Sequence, residues 1–341
     1  MTDYSDHIGI IGGGIAGLTL GCSLLKDGIP ATIFEKMPEE ISHGAALSLS
    51  SNALRLLHRL DIYNDLKNQS FIHSAASIQG PQKEISSFQT PEVLTTRRQT
   101  LMTLLYSKYI NLGGEVHHDH AFDNFDTAKC EVTFTNKKKY ILKHLAACDG
   151  IRSSIRDNFF AANQTPKYSG YSAWRGMGKS NLQRIHFALG PGSHIVSYPI
   201  NNTGDVSFVA VKKEDYQFKE SWKEEGSIKD LLDDFSIYDS KIFPALEDSM
   251  PLYKWGIYIR PPLKSMIAKN ITLLGDAAHP MVPFLGQGAC MAIEDTYSFA
   301  MACNENIANL EDAQADYDFV RNKRTEKIQF LSMMQGRIYS T

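Results

Sequence analysis

The sequence has few cysteines and little net charge. Its 341 residues include five cysteines, and no two of them form a C-x-x-C pair. That pattern argues against a disulfide framework and against a zinc site, and it indicates a reducing compartment. The formal net charge is −3, whereas a general nucleic-acid binder needs a basic face. We therefore expect a cytoplasmic protein with no metal site and no nucleic-acid partner.

Long apolar runs are also scarce. The segment from Ile8 to Leu25 carries no charge, but Asp3 and Asp6 precede it and glycines occupy its centre. We interpret it as a buried strand followed by a buried helix, so no membrane span is expected. The hydrophobic fraction of 43% and the charged fraction of 21% are ordinary for a globular protein. The length fits two domains.

A glycine-rich turn joins the first predicted strand to the first predicted helix. Strand, turn, helix and second strand occupy His7–Ile11, Gly12–Gly17, about Ala16 to Asp27, and Ala31–Phe34, and Glu35 follows. This order is the fingerprint of a dinucleotide-binding fold.

Each part of this fingerprint has a physical role. Gly12 permits the tight turn, Gly14 lets a pyrophosphate approach the backbone, and Gly17 lets the helix pack on the sheet. The free N–H groups at the helix start attract phosphate. Glu35 can accept hydrogen bonds from ribose hydroxyls.

Two further motifs follow predicted strands. In the first, Asp149-Gly150-Ile151-Arg152-Ser153-Ser154-Ile155-Arg156, either Asp149 or Ser153 is suited to cap a helix. In the second, Gly275-Asp276 ends a strand, and a loop rich in Gly and Pro leads to a helix from about Gly288. A carboxylate such as Asp276 suits a polyol hydroxyl, and a helix N-terminus suits a developing negative charge.

In this order and spacing, the three motifs resemble those of the FAD-dependent aromatic hydroxylases, the group A flavoprotein monooxygenases, and most closely their salicylate-hydroxylase-like branch. Lesser matches occur at Gly44–Leu49 with Asn52, Arg98 with Leu101 and Leu105, Tyr171–Gly176, and Tyr198-Pro199. The resemblance implies an α/β fold, with a Rossmann-type FAD-binding domain, an interleaved β-sheet substrate domain and a C-terminal helical segment.

The resemblance also implies a division of the chain. Residues 1–70, 97–165 and 262–341 are expected to form a discontinuous FAD-binding domain, and residues 71–96 and 166–261 the substrate domain. The C-terminal stretch Leu310–Tyr339 carries Arg321, Arg324 and Arg337 at helical spacing and is expected to pack on the FAD-binding domain.

Carried over residue by residue, the resemblance predicts a set of cofactor-binding positions. They are Gly12, Gly14, Ile15, Ala16, Gly17, Glu35, Lys36, Ala46, Arg98, Asp149, Asp276, Pro283, Gly286, Gln287, Gly288 and Ala289. No catalytic residue is assigned, and the candidates near the flavin are Pro283, Gly286, Arg175 and His279.

The implied activity is an FAD-dependent monooxygenation. NADH or NADPH serves as a transient electron donor, and a flavin C4a-hydroperoxide formed with O2 hydroxylates a small aromatic or heteroaromatic substrate. Gly113-Gly114 and Gly190-Pro191-Gly192 lack the strand and helix of a second nucleotide fingerprint, which fits a transient donor. The alternatives are an epoxidase or hydroxylase of a non-aromatic or polycyclic compound, and a non-catalytic flavin-binding sensor. A monomer or a homodimer is expected.

Some candidates have competing interpretations. Many relatives carry a histidine just before the Tyr-Pro pair, where this chain has Ser197, a poor base. Arg175 could pair with a substrate carboxylate or lie in a surface ion pair. His279 could act near the flavin or hold its loop.

Three polar segments are predicted to be structural. His117–His120 resembles a metal cluster, but a strand turns only alternate residues to one face, so a solvated edge is expected. Lys213–Asp230 alternates acids and bases and predicts an exposed helix. The basic run Lys137–Lys139 predicts a hairpin tip.

Overall fold

Sixteen strands and eight α-helices make up the fold in a computed structural model, which describes residues 2–38, 46–81, 83–160, 165–215, 225–246 and 251–339. The strands are β1 (Thr2–Ile11), β2 (Ala31–Phe34), β3 (Ala46–Ser50), β4 (Phe71–Gln79), β5 (Glu84–Arg97), β6 (Glu115–His117), β7 (Phe122–Asp126), β8 (Glu131–Phe134), β9 (Lys139–Ala147), β10 (Lys167–Lys179), β11 (Ile185–Gly190), β12 (Ser193–Pro199), β13 (Asp205–Lys213), β14 (Tyr253–Ile259), β15 (Ile267–Ala268) and β16 (Ile271–Leu273).

The helices alternate with these strands in the first half of the chain and dominate its end. They are α1 (Ile15–Lys26), α2 (Ser51–Arg59), α3 (Tyr63–Asn68), α4 (Arg98–Asn111), α5 (Ser154–Phe159), α6 (Ile228–Asp234), α7 (Gly288–Glu305) and α8 (Leu310–Tyr339). Short 3-10 turns occupy Ser240–Ile242, Gly275–Ala277 and Pro283–Leu285.

The first sheet has the order β15-β16-β9-β1-β2-β6, and β7 and β8 extend it from β9. Its central pairs are parallel. Because both faces of parallel strands are covered, β2 is buried along its whole length, and α1 packs between the sheet, α4 and α7. The uncharged segment Ile8–Leu25 is thus the end of β1 and most of α1, as predicted.

The second sheet has the order β14-β10-β13-β12-β11-β4-β5-β3, with β11 and β4 as its parallel pair. One face packs on α6 through Trp174, Phe208 and Phe235. The other face packs on the loop before α7, where Tyr171 contacts Phe284 and Trp255 belongs to the same apolar cluster. The sheet therefore presents one of its faces to the region that the sequence motifs single out.

The α/β fold predicted from sequence is confirmed, and the C-terminal helix spans Leu310–Tyr339 as expected. The domain boundaries stay a prediction. β3, which falls within the predicted FAD-binding segment 1–70, pairs with β5 and belongs to the second sheet.

Two of the structural predictions were wrong. The stretch Lys213–Asp230 is not one helix, because Lys213 ends β13, Gly226 precedes the helix, and α6 begins only at Ile228; residues 216–224 lie outside the described part. The stretch His117–His120 is not a solvated strand edge: β6 ends at His117, and His120 is buried against Phe34 and Tyr140. Lys137, with a φ of 68°, does lie at the exposed tip of the β8–β9 hairpin.

Candidate functional site

The Gly12–Gly17 turn is fixed by close contacts of the main chain. Gly12 has a φ of 108°, and a Cβ there would lie 2.4 Å from the carbonyl oxygen of Cys148. A Cβ at Gly17 would lie 1.9 Å from the carbonyl oxygen of Gly12. Both positions need glycine, because a side chain would collide with backbone that cannot move aside.

Gly14 differs from its neighbours because a Cβ built there meets no atom within 4 Å. It is the N-cap of α1, and no side chain caps this helix end. The amide of Leu18 donates to the Gly14 carbonyl oxygen at 2.9 Å, so the intrahelical bonds begin there. The first-turn amides of α1 thus lie next to open space, with the partial positive charge of the helix N-terminus.

The acids at the ends of β2 and β9 border this turn. The Glu35 carboxylate accepts hydrogen bonds from the amides of Gly13 at 2.6 Å and Met37 at 2.9 Å. Burial raises the pKa of Asp149 to about 6, although Ser153 and Lys36 act in the opposite direction. The Asp149 Oδ1 atom is buried without a hydrogen-bond partner.

The Asp149–Arg156 motif is joined to the Gly275–His279 turn by a buried arginine. Ser153 is the N-cap of α5 and accepts from the Arg156 amide at 2.9 Å, which confirms one of the two predicted caps. The Arg156 guanidinium donates to the carbonyl oxygens of Ala278 at 2.5 Å and Pro261 at 2.7 Å. Sequence analysis assigned no role to Arg156, because its partners lie more than 100 residues away.

The Gly275–His279 turn is held by a fully buried carboxylate. Asp295 on α7 accepts from the Gly275 amide at 2.9 Å and from Arg321 Nε at 2.8 Å, and it also pairs with His279. Burial alone would raise the pKa of Asp295, but His279 and Arg321 outweigh it and hold that pKa below its usual value. These contacts favour the loop-holding interpretation of His279.

Glu294, next to Asp295, extends the buried ion network. It pairs with Arg321 and with Arg324, whose Nε lies 2.7 Å from Glu294 Oε2, and it accepts from Asn52 at 2.7 Å. Despite burial, Arg324, Asn52 and Arg321 together lower the pKa of Glu294 to about 2. Two of the three arginines at helical spacing therefore attach α8 to α7.

The loop between this turn and α7 is anchored to β3 and α2. Gly286 has a φ of 62°, and a Cβ there would lie 2.7 Å from Ser48 Oγ. Gln287 donates to Ser50 Oγ at 3.1 Å and accepts from Asn52 at 3.2 Å. At Gly288, the first residue of α7, a Cβ would meet nothing within 4 Å.

Three predicted residues from separate segments lie close enough to interact electrostatically. Arg98, the exposed first residue of α4, acts electrostatically on both Asp276 and Arg175. Asp276 reaches solvent, yet the surrounding protein raises its pKa against the effects of His279 and Arg98.

Arg175 does not lie at the exposed surface, as one of its two interpretations required. It is half-buried on β10 with its guanidinium 5.3 Å from the Trp255 ring, and the enclosing protein lowers the pKa of Arg175. Burial raises the pKa of Tyr198, although Arg175 acts in the opposite direction. Arg175 and Tyr198 thus interact on the sheet face that looks toward the loop.

Ser197 does not lie beside them. Successive strand residues point to opposite faces, and Ser197 is in register with Phe208 on the α6 side. His194 lies on the loop side instead, 5.3 Å from the Phe284 ring and 5.1 Å from the Tyr339 ring. Burial lowers the pKa of His194 to about 4, and its Nδ1 has no hydrogen-bond partner. His194 was not predicted as a site residue, although its position four residues before Tyr198 on one strand indicates that the two side chains share a face.

The described residues contain neither a candidate metal cluster nor a candidate membrane-spanning helix. Within the described ranges, no group of three His, Cys, Asp or Glu residues is placed to hold a metal ion. Across the same part of the chain, no helix is both long and apolar enough to cross a membrane.

Comparison with known proteins agrees with this geometry. Residues 6–309 match the FAD binding domain family. The chain is 28% identical to a 3-amino-4-hydroxybenzoate 2-monooxygenase of Streptomyces platensis, over 98% of this chain and 90% of that protein. It is 26% identical to salicylate hydroxylase of Pseudomonas putida, over 98% and 86%. The structure of Klebsiella pneumoniae HpxO with FAD and uric acid superposes with a TM-score of 0.87 at 19% identity, covering 98% and 88%. The chain therefore belongs to the FAD binding domain family and is an FAD-dependent monooxygenase of the aromatic hydroxylase type.

Proposed function

We propose that this enzyme holds FAD along the cleft formed by α1, the Gly275–His279 turn and the start of α7, and that it inserts one oxygen atom from O2 into a small aromatic acid. The electron donor is NADH or NADPH, which visits the site without a domain of its own. The proposed FAD contacts are Gly12, Gly14, Ile15, Ala16, Gly17, Glu35, Lys36, Ala46, Arg98, Asp149, Asp276, Pro283, Gly286, Gln287, Gly288 and Ala289.

The observation that carries this proposal is the convergence of two open helix starts on one acid. A Cβ at Gly275 would lie 3.2 Å from the Cβ atoms of both Ala16 on α1 and Ala292 on α7. The turn that carries Asp276 therefore lies between the two helices. Gly14 and Gly288 leave space at both N-termini, where a pyrophosphate and the electron-rich edge of a reduced flavin are stabilised.

When bound, reduced FAD supplies the activation of O2 and the transfer of one oxygen atom. The chain must bind, orient and exclude water. The helix N-termini and the Arg98 guanidinium offer positive potential to the phosphates, and Asp276 offers an acceptor to a hydroxyl group of the cofactor chain. Glu35 would exchange its present amide donors for ribose hydroxyls.

The side chains on the sheet face that looks toward the loop indicate the substrate class. Arg175 and Arg98 give this cleft a positive potential, which favours an organic anion. The apolar ring of Phe284 and the tyrosine rings at 171 and 198 suit a flat substrate. His194 is neutral near pH 7, because its pKa is about 4, so its Nδ1 can accept a hydrogen bond from a phenol hydroxyl, although an imidazole with that pKa is too weak a base to take the phenol proton.

The domain division proposed for this reaction remains that of residues 1–70, 97–165 and 262–341 for FAD and 71–96 and 166–261 for substrate. Because β3 joins the second sheet, the segment from Ala46 to Ser50 would connect the two units.

The test is oxidation of NADH and NADPH in air by FAD-loaded protein, with and without a panel of hydroxylated aromatic acids and their amides, with products analysed by mass. One compound should speed oxidation and gain a single oxygen. Arg175→Met should raise KM for the acid at least tenfold and leave the matching amide unaffected. If acids and amides respond equally to Arg175→Met, the carboxylate assignment fails. If no aromatic compound stimulates oxidation, the substrate class is wrong, and polycyclic or alkene substrates become the alternatives.

A further inference from the structure

A cavity lies on the α6 side of the second sheet, away from the proposed flavin cleft. Its volume is about 210 Å³, roughly seven waters at about 30 Å³ each. Its floor includes His186 on β11 and Ser197 on β12. Phe243 and Pro244 cover it from the chain segment that follows α6.

The floor is part of a polar row that crosses three strands. Ser77 is in register with His186, and His186 with Ser197. Registered residues of neighbouring strands share a face, so all three side chains lie on the side of the sheet opposite to Tyr198. The row ends at Phe208, which belongs to the core under α6.

Among the residues that the structure describes, the two hydroxyl groups in this row have no hydrogen-bond partner. Ser197 is 3% exposed and Ser77 is 0% exposed, and neither Oγ makes a hydrogen bond. Buried polar groups are nearly always hydrogen-bonded, because leaving one unpaired costs free energy. Ser207 on the opposite face shows the usual arrangement, since its Oγ donates to the Gly176 carbonyl oxygen at 3.4 Å.

One part of the wall is apolar and consists of Leu182, Val206, Ile242 and the Phe243 ring. The rest of the lining is polar or charged: Gln79, Ser180, Asp239 and Lys241. Neighbouring strands lie about 4.8 Å apart, so the polar groups of the floor are regularly spaced. Burial lowers the pKa of His186, so this imidazole is neutral near pH 7 and can accept or donate one hydrogen bond.

We propose that this cavity is a second small-molecule site, distinct from the flavin cleft, which binds a single-ring hydroxyaromatic compound through Ser197 and His186. The ring lies against the apolar part of the wall, and its polar substituents satisfy the hydroxyl of Ser197 and the imidazole of His186. The site stands on the side of the sheet remote from Asp276 and does not depend on the proposed oxygenation.

The experiment uses FAD-loaded protein and the neutral probe 4-hydroxybenzamide, which lacks the carboxylate expected to favour Arg175. Calorimetric titration gives the affinity, and the side-chain NMR resonances of His186 report where the probe binds. Ser197→Ala should weaken binding about five- to tenfold, as expected for one hydrogen bond, and Ser197→Leu should abolish the His186 response by filling the cavity. Ser207→Ala is the matched control and should leave this affinity unchanged.

Folding is checked separately for each variant. Because the Ser197 hydroxyl has no partner to lose, Ser197→Ala should melt at the wild-type temperature or above without the probe. The proposal is overturned if the probe leaves the His186 resonances unmoved at its solubility limit. It is also overturned if Ser197→Ala and Ser207→Ala, both folded, bind the probe as the wild type does. Neither outcome bears on whether the flavin cleft oxygenates a substrate.

Discussion

Two turns border the candidate flavin site, and they are held in different ways. The Gly12–Gly17 turn is fixed by backbone packed directly on backbone, at Gly12 against Cys148 and at Gly17 against Gly12. The Gly275–His279 turn is fixed by charge, through Asp295 and its partners His279 and Arg321. Adding an atom to the first turn should therefore destabilise the fold, and so should removing a charge from the second turn.

The largest effect is expected from adding an atom to the first turn. In Gly17→Ala, the new Cβ would lie 1.9 Å from the Gly12 carbonyl oxygen, and neither backbone segment can yield. We expect loss of soluble, FAD-binding protein, or an unfolding free energy reduced by about 3 kcal/mol or more. Circular dichroism melts measure this. A wild-type melt for Gly17→Ala would show that the turn is not closely packed.

Removing the charge from the second turn should cost about 3–5 kcal/mol. Asp295→Ala leaves buried Arg321 with one of its two carboxylate partners and the Gly275 amide without an acceptor, and breaking a buried ion pair has costs of that size. Urea unfolding measures the loss. The control is Asp312→Ala on α8, an exposed carboxylate that should matter by less than about 1 kcal/mol. Equal losses for the two variants would contradict the difference between the turns.

A pH dependence should distinguish Asp149 from the ion network. Its pKa rises from 3.8 to about 6 on folding, chiefly through burial, so the folded FAD-free protein holds this proton more tightly than the unfolded chain. Asp149 therefore destabilises the fold above pH 6, by at most about 3 kcal/mol at 1.36 kcal/mol per pKa unit. Asp149→Asn should recover that stability at pH 7 to 8.

The gain in Asp149→Asn should shrink between pH 6 and pH 4 and vanish below it, where the wild-type carboxyl is neutral in both states. Chemical unfolding of the FAD-free protein at a series of pH values measures this. A gain that does not change with pH would show that burial is not what perturbs this carboxyl.

The smallest effect on folding is expected at Gly14, in the same turn as Gly17. Its φ of −77° suits any residue, and a Cβ there meets nothing within 4 Å. As an N-cap change, Gly14→Ala should lower the free energy of unfolding by only a few tenths of a kcal/mol to about 1 kcal/mol. It should raise the Kd for FAD about tenfold or more, because the added Cβ fills the open space at the start of α1. Flavin fluorescence titration separates the two effects. Unchanged FAD affinity would remove Gly14 from the proposed contacts.

The two turns also differ in how well the sequence predicted them. The first could be predicted because strand, glycines, helix and acid follow one another within 35 residues, and local spacing fixes their geometry. The network of the second could be predicted only in part. Arg321 and Asp295 stand on different helices, and helical spacing indicated only that α8 packs back.

Strand register explains the main failures. Side chains along a strand point alternately to its two faces, so a shift of one residue decides whether Ser197 or Tyr198 faces the cleft. When both faces of a strand are covered, the sequence pattern does not show which face packs against the cofactor loop. The pairing of β3 with the second sheet was also not predicted, because its partner strand β5 lies more than 40 residues away along the chain. The polar row under Ser197 became visible only once the register was known.

The most direct test of the central claim is turnover under 18O2 with FAD-loaded enzyme, reduced coenzyme and the best substrate of the panel. The account predicts one labelled oxygen in each product molecule for each NADH or NADPH consumed, with little hydrogen peroxide. A product whose new oxygen carries no label, and therefore comes from water, would contradict it, as would coenzyme oxidation that yields peroxide and unaltered substrate.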